Sequence, residues 1–133
     1  MTNVGITGAG GKIGSVLVEG LAEQYALTLF DFQDEIRKKY GDDFKIAVAD
    51  FSIEEETKGL FEGLDVVIHL AASSSDRSPW ERVLPHNIVA TYNVFEEARR
   101  AGVGKIIFAS SNHVQNGYAM ADTSTSLTPF YEK

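Results

Sequence analysis

The stretch Thr7-Gly8-Ala9-Gly10-Gly11-Lys12-Ile13-Gly14 restricts the possible folds of this chain more than any other. Before it, Val4-Gly5-Ile6 is short and apolar like a buried strand. After it, Val16, Leu17, Leu21 and Ala22 recur at helical spacing, and Gly20 weakens that helix without breaking the pattern. A glycine-rich turn from strand to helix leaves backbone N–H groups at the helix N-terminus, where they can bind a pyrophosphate. In this reading Gly8 permits the tight turn, Gly11 lets the backbone approach the phosphates, and Gly14 lets the helix pack on the strand. Leu27-Thr28-Leu29-Phe30-Asp31 then reads as a second strand ending in a carboxylate. It falls about 20 residues beyond the glycines, where a dinucleotide fingerprint needs an acidic group for the ribose hydroxyls. Such a carboxylate repels a 2′-phosphate, so NAD is expected over NADP; Lys12, inside the loop, has the charge to argue the other way. A solvated strand end is the plainer alternative for Asp31.

Strands and helices alternate along the rest of the chain. Strands are expected near 3–7, 27–31, 45–48, 65–69 and 105–109, and helices near 12–24, 33–40, 54–62 and 80–101. Val66-Val67-Ile68 and Lys105-Ile106-Ile107-Phe108 look buried on both faces, as strands of a parallel sheet are. The 80–101 helix has Pro85 in its first turns, carries Ile88, Tyr92 and Phe95 on one face, and ends at Gly102 and Gly104. This alternation predicts an α/β fold with a doubly wound parallel sheet, in the order 3-2-1-4-5. The 133 residues fit one domain with a real core. A net charge of −7 disfavours nucleic acid as a partner, because its phosphates need basic surface. The absence of cysteine excludes disulfides and thiolate metal sites, and no His/Asp/Glu cluster has metal-ligand spacing. No apolar stretch is long enough to span a bilayer and no signal peptide precedes the first strand, so no membrane partner and a cytoplasmic location are expected.

The spacing T-G-x-x-G-x-I-G resembles that of short-chain dehydrogenases/reductases, and more closely their extended branch, the NAD-dependent epimerase/dehydratase family. Four later segments agree in order. Asp50-Phe51 resembles the acidic residue after the third strand that contacts adenine, and His69-Leu70-Ala71-Ala72 resembles the H-x-A-A turn along the cofactor. Asn87-Ile88-Val89-Ala90-Thr91-Tyr92-Asn93-Val94 resembles the N-x-x-G-T-x-N-V helix, with Ala90 in place of the usual glycine. Phe108-Ala109-Ser110-Ser111-Asn112-His113 resembles the strand and loop that carry the catalytic serine. The resemblance covers residues 2–114 and implies a Rossmann fold. It implies cofactor contacts at Gly8, Gly10, Gly11, Lys12, Ile13, Gly14, Asp31, Asp50, Phe51, Leu70, Ala71, Ala72 and Asn87. His69, on a buried strand, reads as structural.

Within that family Ser111 would hydrogen-bond the reacting oxygen; a single hydroxyl can both donate and accept. The S-S-N-H sequence is most similar to uronate dehydrogenases, which oxidise the anomeric carbon of a hexuronic acid to a lactone. Asn112 and His113 would then face the sugar, with Ser73, Ser74 and Ser75 as further contacts. A histidine bracing the loop is the alternative for His113, and a polar loop with no ligand role is the alternative for the three serines. The family also uses a Y-x-x-x-K pair, whose tyrosine acts as general acid/base. Tyr131 lies 20 residues beyond Ser111, and the chain stops at Lys133, before a lysine four positions on. Tyr118 has Asp122 at that spacing. The expectation is therefore the cofactor-binding portion of a longer enzyme, inactive alone and without the C-terminal substrate lobe. Its parent would be an NAD-dependent sugar or uronate dehydrogenase, or a nucleotide-sugar epimerase, either compatible with a homodimer. A non-catalytic dinucleotide-binding module is the reading of another class.

Overall fold

Along the first strand, Val4 and Ile6 alternate with Gly5, and each set packs against a different layer. The computed structural model describes residues 1–111. Its strands are β1 (Asn3–Thr7), β2 (Ala26–Asp31), β3 (Lys45–Val48), β4 (Val66–His69) and β5 (Lys105–Phe108). All neighbours pair in parallel, in the order β3-β2-β1-β4-β5, as the alternation predicts. The helices are α1 (Lys12–Leu21), α2 (Glu35–Tyr40), α3 (Glu54–Thr57), α4 (Trp80–Val83) and α5 (Ala90–Arg100), the last two joined by a π-helical segment, Leu84–Val89.

Two apolar layers follow from the period of two along each strand. Val4, Ile6, Leu27, Leu29 and Ile68 pack with Val18 of α1 and Ile36 of α2. On the opposite face, Phe30 and Val67 pack with Phe51, Phe61, Leu64 and the Ala90, Val94 and Ala98 side of α5. Phe30 meets Phe61 edge-on at 5.3 Å between ring centres. Gly5 leaves the room for this cluster: a Cβ there would sit 2.6 Å from Leu64 Cδ1 and 3.0 Å from Phe30 Cε2. Burying each such side chain stabilises the fold by about 1.5–3 kcal/mol.

Two helical expectations change, and one helical face acquires a direction. The helix expected over 54–62 stops at Thr57: Lys58 is extended, and Gly59, at φ +77°, takes the left-handed conformation. The helix expected over 80–101 is widened in its second turn. Pro85 has no N–H to give and its ring crowds the preceding turn, and Ala90 N–H bonds Pro85 O five residues back. The stripe of Ile88, Tyr92 and Phe95 faces away from the sheet, at 51%, 68% and 41% exposure. The buried face of α5 instead includes two polar residues, Asn93 and Glu97, each with a defined partner. Asn93 Nδ2 donates to Phe51 O at 2.8 Å, and Glu97 Oε1 accepts from Gly59 N–H at 2.7 Å.

Candidate functional site

At the carboxyl ends of the strands lies a cleft of about 620 Å³, where most of the expected site residues meet. The glycine turn forms one wall. Gly8 has φ +69°, and a Cβ there would stand 2.9 Å from Ala71 N. At Gly14 a Cβ would fall 2.4 Å from Gly8 O and 2.7 Å from Ala9 Cα, so α1 rests directly on the turn. Gly11 caps α1 without a side-chain bond. The first N–H groups of α1, which lack partners within the helix, open beside a cleft lined by Gly11, Lys12, Ile13 and Gly14.

Asp31 is tied to that turn. Its Oδ2 accepts from Gly10 N–H at 2.9 Å and its Oδ1 from Gln33 N–H at 3.2 Å. A carboxylate has about four acceptor positions, so two remain for vicinal hydroxyls. Asp50 and Phe51 line the same cleft beyond β3, as do Leu70, Ala71, Ala72, Ser73 and Ser74 after β4.

Behind these walls runs a buried hydrogen-bond path. Thr91 Oγ1 donates to Asn87 O at 2.7 Å, which makes it the acceptor for His69 Nε2–H at 3.2 Å. His69 Nδ1 therefore accepts the Thr7 hydroxyl proton at 2.7 Å, and Thr7 Oγ1 in turn accepts from Leu70 and Ala71 N–H. Burial pushes the His69 pKa down to about 4, so the imidazole is neutral at pH 7. This matches its reading as a structural residue. Asn87 lies at the far end of the path, its amide doubly bonded to the Ser73 backbone: Oδ1 accepts Ser73 N–H at 2.7 Å and Nδ2 donates to Ser73 O at 3.0 Å. It thus shapes the cleft through Ser73.

Ala109, whose N–H bonds His69 O at 3.1 Å, brings the end of β5 to the cleft. Ser111 lies two residues further on and is exposed, and Ser75 falls outside the cleft lining. Asn112, His113, Tyr118 and Tyr131 lie outside the described residues. Sequence reasoning missed Phe32, Gln33, Arg82 and His86, which also line the cleft. Arg82, His86 and Ala90 are four residues apart, and that spacing, which brings helical side chains to one face, was the available signal. Among the described residues no group of three or more His, Asp or Glu is placed to hold a metal ion. No helix among them is long and apolar enough to cross a membrane.

A parallel sheet of this order, with a glycine turn and an acidic second strand meeting at one cleft, defines a Rossmann-type dinucleotide-binding protein. The chain belongs to the NAD dependent epimerase/dehydratase family, whose model matches residues 4–132. It is 37% identical over 125 residues to a uronate dehydrogenase of Pseudomonas syringae pv. tomato, a match covering 93% of this chain and 45% of that protein. It is 36% identical over 128 residues to an L-arabinose 1-dehydrogenase (NAD(P)(+)) of Haloferax volcanii, covering 96% and 48%. The crystal structure of uronate dehydrogenase from Agrobacterium tumefaciens superposes with a TM-score of 0.74 at 34% identity, over 85% of this chain and 42% of that one. A mutant of that enzyme has been crystallised with NAD. The chain spans about half the length of the curated relatives it matches.

Proposed function

We propose that this chain is the cofactor-binding portion, a single domain over residues 1–133, of an NAD-dependent dehydrogenase acting on a sugar or uronic acid. The observation that carries the reading is the bond from Gly10 N–H to Asp31 Oδ2, which fixes the carboxylate against the glycine turn. A carboxylate held there presents acceptors to ribose hydroxyls and repels a 2′-phosphate, which favours NAD over NADP. The glycine turn fits the cofactor, since a side chain at Gly8 would push on Ala71 and one at Gly14 would force apart the turn and α1, whose first residues line the cleft. NAD, when bound, supplies the hydride acceptor. In this reading Ser111 orients the reacting oxygen, Ser73 and Ser74 with Asn112 and His113 face the sugar, and Tyr131 belongs to the proton-transfer machinery.

A nucleotide-sugar epimerase is the second reading. It draws on a crystal structure of UDP-galactose 4-epimerase that superposes with a TM-score of 0.74 at 34% identity over 84% of the chain. The discriminating experiment follows NADH absorbance with the whole protein, offering galacturonate, glucuronate and L-arabinose, with UDP-sugars assayed separately for interconversion. Net NADH formation on a free sugar or uronate is expected, with Ser111→Ala lowering turnover more than NAD affinity. Interconversion of UDP-sugars without net NADH would replace the dehydrogenase reading. Calorimetric titration should show tighter binding of NAD than NADP, and Asp31→Ala should narrow the gap; tighter NADP binding by the unmodified protein would refute the role given to Asp31.

A further inference from the structure

Asp50 is held almost entirely through one of its oxygens. Oδ1 accepts from Ser52 N–H at 2.9 Å and from Ser52 Oγ at 2.7 Å, while the Asp50 N–H is fixed by Glu56 Oε2 at 2.8 Å. On the other side of the same oxygen stands His86, its Nδ1 3.8 Å away. That separation is too long for a hydrogen bond and suits a charge contact when the imidazole is protonated. Both side chains are partly exposed, at 38% for His86 and 29% for Asp50, and both line the cleft. Oδ2 has no partner among the described residues. The carboxylate is therefore clamped on one edge and open on the other. Arg82 and His86, four positions apart on one helical face, lie together over the cleft.

We propose that His86 is a positioning residue for Asp50, holding the carboxylate so that Oδ2 accepts a hydrogen bond from the exocyclic amine of the cofactor's adenine. The proposal rests on the cofactor reading above. It gives two of the basic side chains that line the cleft, His86 and Arg82, separate tasks. His86 braces the carboxylate, while Arg82, which has no side-chain partner among the described residues, stays available to an anion.

The test compares NAD with nicotinamide hypoxanthine dinucleotide, in which a carbonyl oxygen replaces the amine, by calorimetric titration of the whole protein. The unmodified protein should prefer NAD by roughly tenfold, the value of one hydrogen bond to a charged acceptor. With the titrations run at acid pH, where an imidazole is protonated, His86→Ala should reduce that preference by about two- to fivefold, the range of a partly exposed ion pair. His86→Leu, a second removal that keeps helix propensity, should do the same, and His86→Arg, which keeps a cation beside Oδ1, should retain the preference. In an Asp50→Ala background, replacing His86 should change nothing further, since its effect passes through that carboxylate. Equal weakening of both dinucleotides by His86→Ala, or additive losses in the double variant, would overturn the proposal. Equal binding of the two dinucleotides by the unmodified protein would also overturn it, with the cofactor reading intact. Failure to bind either one would overturn that reading as well.

Discussion

Two glycines of α1 should respond to the same substitution with opposite signs. Gly20 has nothing within 4 Å of a would-be Cβ, so Gly20→Ala adds only helix propensity and unfolded-state restriction. The expected gain is about 0.5–1 kcal/mol. At Gly14 the new methyl would stand 2.4 Å from Gly8 O and 2.9 Å from Ala9 C, and neither is a side chain that can swing aside. Ordinary carbon–oxygen contacts begin near about 3.3 Å, so helix and turn must part by roughly 1 Å. Overpacking of that kind costs about 1–3 kcal/mol and occasionally more; even after the propensity gain, Gly14→Ala should lose about 2 kcal/mol. The two variants should then differ by about 3 kcal/mol, or about 10 °C in Tm for a chain of this size. Urea denaturation followed by circular dichroism measures the first quantity and thermal scans the second. Because Gly14 also sets how α1 meets the turn, NAD affinity should fall in Gly14→Ala and hold in Gly20→Ala. Equal stability of the two variants, or a shift in the same direction, would refute the packing argument.

Two further outcomes follow from buried polar groups. His69 has an ordinary pKa of 6.5, lowered by burial to about 4 in the fold, so between those values the unfolded chain binds a proton that the folded chain does not. Stability should therefore be full above pH 6.5 and fall by up to about 3 kcal/mol as pH drops toward 4; an NMR titration placing His69 near 6.5 would contradict this. Asn93→Ala should cost about 1–3 kcal/mol by leaving the buried-side carbonyl of Phe51 without its donor. Because Phe51 lines the cleft, the same variant should weaken NAD binding in titration, and unchanged affinity would separate that residue from the site.

The sheet was legible because its signals are local. Val4, Ile6, Leu27, Leu29, Val67 and Ile68 announce strands by composition, and the glycines mark the turn between β1 and α1. Strand order followed from alternation, since parallel neighbours need helical crossovers. The short α3 was harder to read, because the acidic run beginning at Glu54 suits a helix N-terminus and says nothing of the left-handed Gly59 that ends it. The direction of the Ile88, Tyr92 and Phe95 stripe was not legible for a related reason. Apolar spacing identifies a face but not its direction, and the sheet-facing side of α5 is built from Ala90, Val94 and Ala98 with two satisfied polar residues. In the site, the fingerprint residues were legible individually. The Gly10–Asp31 bond and the approach of His86 to Asp50 were not, because each depends on how separate elements come together.

The path Thr7–His69–Thr91–Asn87–Ser73 joins the base of the glycine turn to the serine loop through consecutive hydrogen bonds. It makes the two ends of the cleft one mechanical unit. A ligand that stiffens the turn at Thr7 stiffens the loop at Ser73 through groups that cannot relax into water, since Thr7 and His69 are 0% and 1% exposed. Occupancy at one end thereby lowers the ordering entropy left for the other, and thermodynamic reciprocity requires the same factor in both directions. On the proposed reading, that coupling would make the filling sequential, with the dinucleotide ordering the Ser73 loop before a second ligand arrives.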